Sequence, residues 1–329
     1  MNREIKAEQL VKRYGDDVAA VDNVSFKVDS GEIFGFLGPN GAGKSTTVAM
    51  LTTLGLPTSG RATVGGYDVV DQAAQVRRIA GVALQEIGLD PIMTSLELLT
   101  LQGRLFGMSR RDALKRANEL LEIVKLADVT KRRVGKYSGG MRRRLDLAMA
   151  LMHRPEILFL DEPTTGLDPA SRRDIWAEVR RLNREFDMTI FLTTQYLEEA
   201  DELADRIAII NRGQIQVEGQ PQALKAALGS ESINVTFRDS DHVRRASDEV
   251  TDMFDRLQID RKTLRMYRNN AAEIIPAVVN RLNTAGLEPV SLTLTTPTLD
   301  DVFLQVTGQR FDTDTDGEST PAASIAEPA

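Results

Sequence analysis

The sequence has 329 residues, 42% hydrophobic and 27% charged, proportions of a globular chain with room for two domains. Its net charge of −7 argues against a nucleic-acid surface, and the lack of cysteine excludes disulfides and thiolate metal sites, which suits a reducing cytoplasm. No run of about 18 apolar residues occurs, so no membrane span is expected, and the opening MNREIKAEQL lacks the apolar stretch of a secretory signal.

In chain order, AVDNVSFKV runs into a turn at Asp29-Ser30-Gly31, and EIFGFLG after it reads as a buried strand. GPNGAGKSTT and the apolar-spaced VAMLTTL follow, giving strand, glycine-rich loop and helix. Residues from about 88 to 150 read as mostly helical: Thr94-x-x-Glu97 fits a capping box, and Leu114, Ala117, Leu121 and Val124 share one helical face. ILFLDEP and MTIFLTT read as central buried strands separated by the helix SRRDIWAEVRRLNREF. RIAIINRGQIQVEG predicts a hairpin turning at Asn211-Arg212-Gly213. Strands alternating with helices predict a parallel-sheet α/β domain over 1–230. The texture changes near Gly229-Ser230. A strand in INVTF and helices in HVRRASDEVTDMFDRL and AAEIIPAVVNRLNTAG predict a small accessory α+β domain over 231–308. Residues 309–329 form an acidic tail, poor in large apolar groups and expected to be disordered.

Residues Gly38, Pro39, Asn40, Gly41, Ala42, Gly43, Lys44 and Ser45 match the G-x-x-x-x-G-K-[ST] phosphate loop, with Thr46 following on the helix. Backbone N–H groups in such a loop converge on an anion at a helix N-terminus. Lys44 is expected to reach the β- and γ-phosphates of a nucleotide, and the Ser45 hydroxyl to ligate Mg²⁺. The apolar strand in ILFLDE delivers Asp161, suited to holding Mg²⁺ through its water shell, and Glu162, suited to polarising an attacking water. In YSGGMRRRLDLAMAL, Ser138, Gly139 and Gly140 offer a second backbone anion cradle at a helix start, and the three arginines after it read as a solvated helix face.

With these motifs in this order, the chain resembles the ATP-binding subunits of ABC transporters over roughly residues 5–220. The matching features are the loop 38–45, Gln85 in VALQE, the signature 137–141, Asp161-Glu162 and Asp168 in TTGLDP. The resemblance implies a P-loop NTPase fold with an ABC-type nucleotide-binding domain and a helical subdomain at about 88–150. It implies ATP and Mg²⁺ as ligands, adenine stacked on Tyr14 in KRYGDD, and Gln85 contacting Mg²⁺ or water while coupling to a membrane partner. It also implies catalytic roles for Lys44, Gln85, Glu162 and Gln195. YSGGMRRRLD, TTQYLEEADELADRIAII and TPTLDDVFLQVTG look like the daunorubicin/doxorubicin-resistance branch of exporters. Met141 stands where the usual signature has glutamine. Gln195 stands where most of the family has a histidine on the terminal phosphate, and an amide there is expected to orient phosphate and water without exchanging a proton.

The function so implied is the ATPase motor of an exporter of an amphiphilic drug, antibiotic or lipid, on the cytoplasmic face of the membrane. Its partners would be a separate transmembrane permease and a second copy of the chain, with ATP held between one copy's phosphate loop and the other's Ser138-Gly139-Gly140; 231–308 is assigned to a further dimer contact, and no nucleic acid is expected. Two alternatives are a soluble ABC ATPase of DNA repair or translation and an ATP-binding regulator with little turnover. The first usually brings two cassettes, zinc insertions or long basic helices; the second has Gln195 as its sole support.

Overall fold

The computed structural model describes residues 2–15, 18–85, 88–227 and 231–307; the acidic tail at 309–329 lies outside the described residues. Strands β1 (Ile5–Tyr14) and β2 (Val18–Val28) form an antiparallel ladder. β3 (Ile33–Leu37) opens a second sheet, and α1 (Lys44–Leu51) follows it after the glycine-rich loop. β4 (Ser59–Val64) and β5 (Tyr67–Asp68) complete the first sheet in the order β2-β1-β4-β5. α2 (Ala73–Ile79) leads to β6 (Ala80–Ala83), the edge of the second sheet.

A helical layer comes next, built from α3 (Ser95–Leu105), α4 (Arg110–Ile123) and α5 (Gly139–Ala150). The chain returns to the second sheet through β7 (Ile157–Asp161), α6 (Pro169–Phe186), β8 (Thr189–Thr194), α7 (Leu197–Leu203) and the hairpin β9 (Arg206–Asn211) and β10 (Gln214–Gly219). The six strands run β10-β9-β3-β8-β7-β6, parallel except for β10. Arg212 and Gly213 both take positive φ, as a two-residue hairpin turn matching strand twist requires.

The apolar runs of β3, β7 and β8 are buried on both faces, as expected of a covered parallel sheet. Alternation divides their side chains. Phe34, Phe36, Phe159 and Phe191 meet the first sheet around Phe26, with Phe26 and Phe191 centroids 5.6 Å apart. Ile33, Leu158, Leu160, Ile190 and Leu192 face the helices, where Leu99, Leu120 and Leu145 of the helical layer and Trp176 of α6 cover them.

The Thr94 capping box forms: its hydroxyl accepts from Glu97 N–H, and the Glu97 carboxylate accepts from Thr94 N–H at 2.8 Å. On α4 the buried stripe runs through Ala113, Ala117, Leu120, Leu121 and Val124, so Leu114, predicted to be on it, is instead 42% exposed at its margin. The 3.6-residue period allowed either phase, and packing on α3 chose this one.

After α8 (Pro221–Ala227), a second unit holds β11 (Glu231–Thr236), α9 (Ser240–Val250), β12 (Arg256–Asp260), β13 (Thr263–Arg268), α10 (Ala271–Thr284) and β14 (Ser291–Thr295). Its antiparallel sheet, β12-β13-β11-β14, is backed by α9 and α10 through Ile233, Val235, Leu264, Met266, Val243 and Val278. The helix predicted through DMFDRL stops earlier. Thr251–Met253 makes one 3₁₀ turn, and Arg256–Asp260 pairs with β13, because ladder bonds and the burial of Leu257 outweigh local helix preference. The last helix, α11 (Leu299–Thr307), packs against the first unit: Leu299, Val302 and Phe303 are buried with Leu37, Ala200, Ile207 and Ile209.

Candidate functional site

Strand register assembles the site. Leu37 of β3 lies beside Thr194 of β8, and Asp161 of β7 beside Thr193, so three loops leave the same edge of the sheet. Such carboxyl-end crevices of parallel strands are where open α/β sheets place ligands. Gly38 passes so close to β9 that a Cβ there would lie 2.4 Å from the Ile210 carbonyl oxygen. Gly43 caps α1 at φ 106°, a left-handed conformation costly for any other residue. The loop between them, with Pro39, Asn40, Gly41 and Ala42, turns its backbone toward the N-terminus of α1, where Lys44, Ser45 and Thr46 form the first turn.

Lys44 is buried and held across the loop. Its ammonium donates to the carbonyls of Gly38 at 2.8 Å and Pro39 at 3.1 Å, and pairs with Glu162 Oε1 at 3.0 Å. The other Glu162 oxygen accepts from Gln85 Nε2 and from Thr165 Oγ1, both at 3.2 Å. Glu162 sits at φ 48°, outside the regions open to most side chains, a strain on the order of 1–3 kcal/mol. Its N–H is anchored by Thr193, to the hydroxyl at 3.0 Å and the carbonyl at 3.1 Å. Asp161 Oδ1 accepts from Thr193 Oγ1 at 2.5 Å and Ser45 Oγ at 3.2 Å. Among the described residues no cluster of three or more acids or histidines forms a ready-made metal cage. The oxygen set of Ser45 and Asp161, with Gln85 nearby, fits a hard cation that keeps most of its water, as Mg²⁺ does.

The remaining predicted residues stand apart from this cluster. Ser138 caps α5, its hydroxyl accepting from Met141 N–H, with Ser138 and Gly139 exposed and Gly140 half-buried. Asp168 caps α6, accepting from Ala170 N–H and Ser171 N–H at 3.0 Å each and from the Ser171 hydroxyl at 2.6 Å; these bonds hold its pKa below the usual carboxylate value. Tyr14 is 62% exposed at the end of β1, with the Lys12 ammonium 5.0 Å from its ring centre. Gln195 lies half-buried in the bend after β8, and among the described residues its amide has no hydrogen-bond partner.

Four further residues had no assigned role in the sequence. Thr193 and Thr165 hold the two acids; the signal for Thr193 was a hydroxyl ending an otherwise apolar buried strand. Glu199 is buried, and its Oε1 accepts from Thr164 Oγ1 and Trp176 Nε1 at 2.9 Å each, tying the turn after Glu162 to α7 just past Gln195. Burial pushes its pKa up. The fourth, Arg143, corrects the expectation of a solvated arginine face. Arg142 is exposed and Arg144 bridges to Asp174, but Arg143 is buried, and burial pulls its pKa down. Successive helix residues point about 100° apart, so three adjacent arginines cannot share one face.

Residues 21–165 match the family model described as ABC transporter, and 219–307 match that of the ATP-binding protein DrrA1-3-like C-terminal domain. The chain is 45% identical to the daunorubicin resistance ATP-binding protein DrrA3 of Streptomyces coeruleorubidus, across 92% of this chain and 96% of that protein. It is 37% identical to the linearmycin resistance ATP-binding protein LnrL of Bacillus subtilis (strain 168), across 93% and 98%. Among solved structures, the dimeric post-hydrolysis state of the ATP-binding cassette MJ0796 bound to ADP and Pi aligns with a TM-score of 0.60 at 28% identity, covering 66% of this chain and 98% of that one.

Proposed function

The chain belongs to the ATP-binding subunits of ABC transporters, and from that premise we propose that it is the ATP-hydrolysing motor of an exporter, working through a separate permease. The observation that carries the reading is the buried Lys44–Glu162 pair, which links the loop to the acid, together with the hydrogen bond Glu162 accepts from Gln85 at the site's edge. In this reading the β- and γ-phosphates take over Lys44 from the Gly38 and Pro39 carbonyls and from Glu162. The released Glu162 carboxylate, still oriented by Gln85 and Thr165, then accepts a proton from the attacking water. Ser45 and Asp161, with Gln85, would hold Mg²⁺, which neutralises charge on the phosphates. Gln195 orients a γ-phosphate oxygen, and Tyr14 offers an exposed face to adenine.

The exposed N-terminus of α5 supports a head-to-tail dimer in which Ser138, Gly139 and Gly140 close on the ATP of a second copy, with Asp168 at the seam. The 231–308 segment is assigned to a further contact between copies. Among the described residues no helix is long and apolar enough to cross a membrane; in this reading the substrate path lies in the permease, with this chain docked on the membrane's cytoplasmic face. Relatives named for resistance to daunorubicin and linearmycin support an amphiphilic drug, antibiotic or lipid as cargo. Neither a DNA-repair nor a translation role finds support among them, and the Glu162 array opposes a regulator with little turnover. The test is purification of the tagged full chain from solubilised native membranes. Recovery with an integral membrane protein and MgATP hydrolysis is expected; recovery from the membrane-free fraction alone would overturn the transport reading.

A further inference from the structure

Arg143 lies four residues into α5, about 6 Å along the axis from Gly139, on the helix that begins at the Ser138 cradle. Its guanidinium is turned into the core, at 5% exposure, and reaches two other loops at once. Nε donates to the Pro163 carbonyl at 2.8 Å, Nη2 to the Asp161 carbonyl at 2.9 Å and Nη1 to the Leu84 carbonyl at 2.5 Å; Nη1 also pairs with Asp146 Oδ2 at 3.1 Å. Asp161 and Pro163 flank Glu162, and Leu84 precedes Gln85. A single planar fork therefore fixes the backbone on both sides of the acid and beside the glutamine that hydrogen-bonds it. A guanidinium presents five donors in a rigid plane, and its burial is tolerated here because three carbonyls and a carboxylate receive them. A lysine has one nitrogen and cannot reach all three carbonyls.

We propose that Arg143 is a positioning residue for ATP hydrolysis, locking Glu162 and Gln85 to the helix that carries the Ser138-Gly139-Gly140 cradle. The consequence rests on the head-to-tail reading above: a cradle engaged on the partner's ATP moves α5, and Arg143 passes that movement to the base serving this copy's own ATP. The two sites are then coupled through one side chain, without contact between the cradle and the loop of the same copy.

The experiment compares the full-length protein with Arg143→Lys, Arg143→Gln and Asp146→Asn in MgATP turnover, ATP affinity and thermal midpoint. Arg143→Lys and Arg143→Gln are expected to lower kcat at least tenfold with KM and ATP affinity within about twofold, and to reduce the Hill coefficient toward one. Asp146→Asn keeps an acceptor for Nη1 and should hold kcat within threefold. Guanidinium added at low millimolar concentration to Arg143→Ala should restore part of kcat, which a general loss of folding would not allow; where that variant fails to fold, Arg143→Lys decides. Unchanged kcat in Arg143→Lys and Arg143→Gln, or a fall in kcat matched by the fraction unfolded, overturns the proposal. A lowered kcat with an unchanged Hill coefficient overturns the coupling between sites. Failure of the dimer reading itself would appear separately, as a Glu162→Gln protein that stays monomeric with ATP.

Discussion

Glu162→Gln removes the charge that faces Lys44 at 3.0 Å in a site where both side chains are nearly inaccessible. Breaking a fully buried pair by deleting one partner costs on the order of 3–5 kcal/mol, because the other charge is stranded. Lys44 keeps the Gly38 and Pro39 carbonyls, and hydrogen bonds to a charged group are worth about 1.5–3 kcal/mol, so the nucleotide-free variant should lose about 1–3 kcal/mol of stability. ATP phosphates restore a counter-charge to Lys44, and the cost vanishes in the complex. By linkage the variant should then bind nucleotide more tightly by the same amount, about 5–150-fold, while turnover falls by roughly 10²–10⁴ for want of the base. Calorimetric titration of parent and variant with a non-hydrolysable ATP analogue, at dilution that keeps both monomeric, measures the gain in affinity; urea unfolding without nucleotide measures the loss of stability. Equal affinity together with undiminished stability would refute the claim that Glu162 holds Lys44 in the free protein.

Gln195→His should keep turnover within about tenfold, a barrier change of about 1.4 kcal/mol, whereas Gln195→Ala should lose far more turnover than ATP affinity; an alanine variant as active as the parent in steady-state assays ends the phosphate-orienting role. Phe303→Ala should destabilise the first unit by about 3–5 kcal/mol, read from the urea midpoint, because its ring fills a space lined by Leu37, Ala200 and Ile209. A truncation before Ser232 should lose at least as much, since it removes Leu299 and Val302 along with Phe303. Asp146 has its pKa raised to about 6, chiefly by burial against the opposing pull of Arg143. The folded protein therefore binds that proton more tightly than the unfolded chain, and stability should fall by up to about 3 kcal/mol as pH rises from about 4 to about 6. Thermal midpoints of Asp146→Asn against pH should lack that decline.

Much of the candidate site's assembly was legible because its determinants are local. A glycine pattern that only a tight anion loop uses, a lysine and serine at the start of a helix, and two acids ending an apolar strand each imply their chemistry from adjacent residues. The alternation of Phe34, Phe36, Phe159 and Phe191 with Ile33, Leu158, Leu160, Ile190 and Leu192 likewise declared a sheet covered on both sides. What the sequence could not decide depends on the phase of a helix or on partners far along the chain. RRR in α5 looks uniform, and only the packing of Leu145, Leu147 and Ala148 turns Arg143 inward to meet carbonyls 18–59 residues away. Arg256–Asp260 became a strand through its ladder with β13, against its local helical texture. Leu299, Val302 and Phe303 form an ordinary amphipathic face in sequence, and it took the tertiary structure to show that they cover Leu37 at the end of the strand leading into the phosphate loop. Local sequence states a residue's chemistry and its element's period; which neighbour that face meets is a free-energy balance over the whole fold.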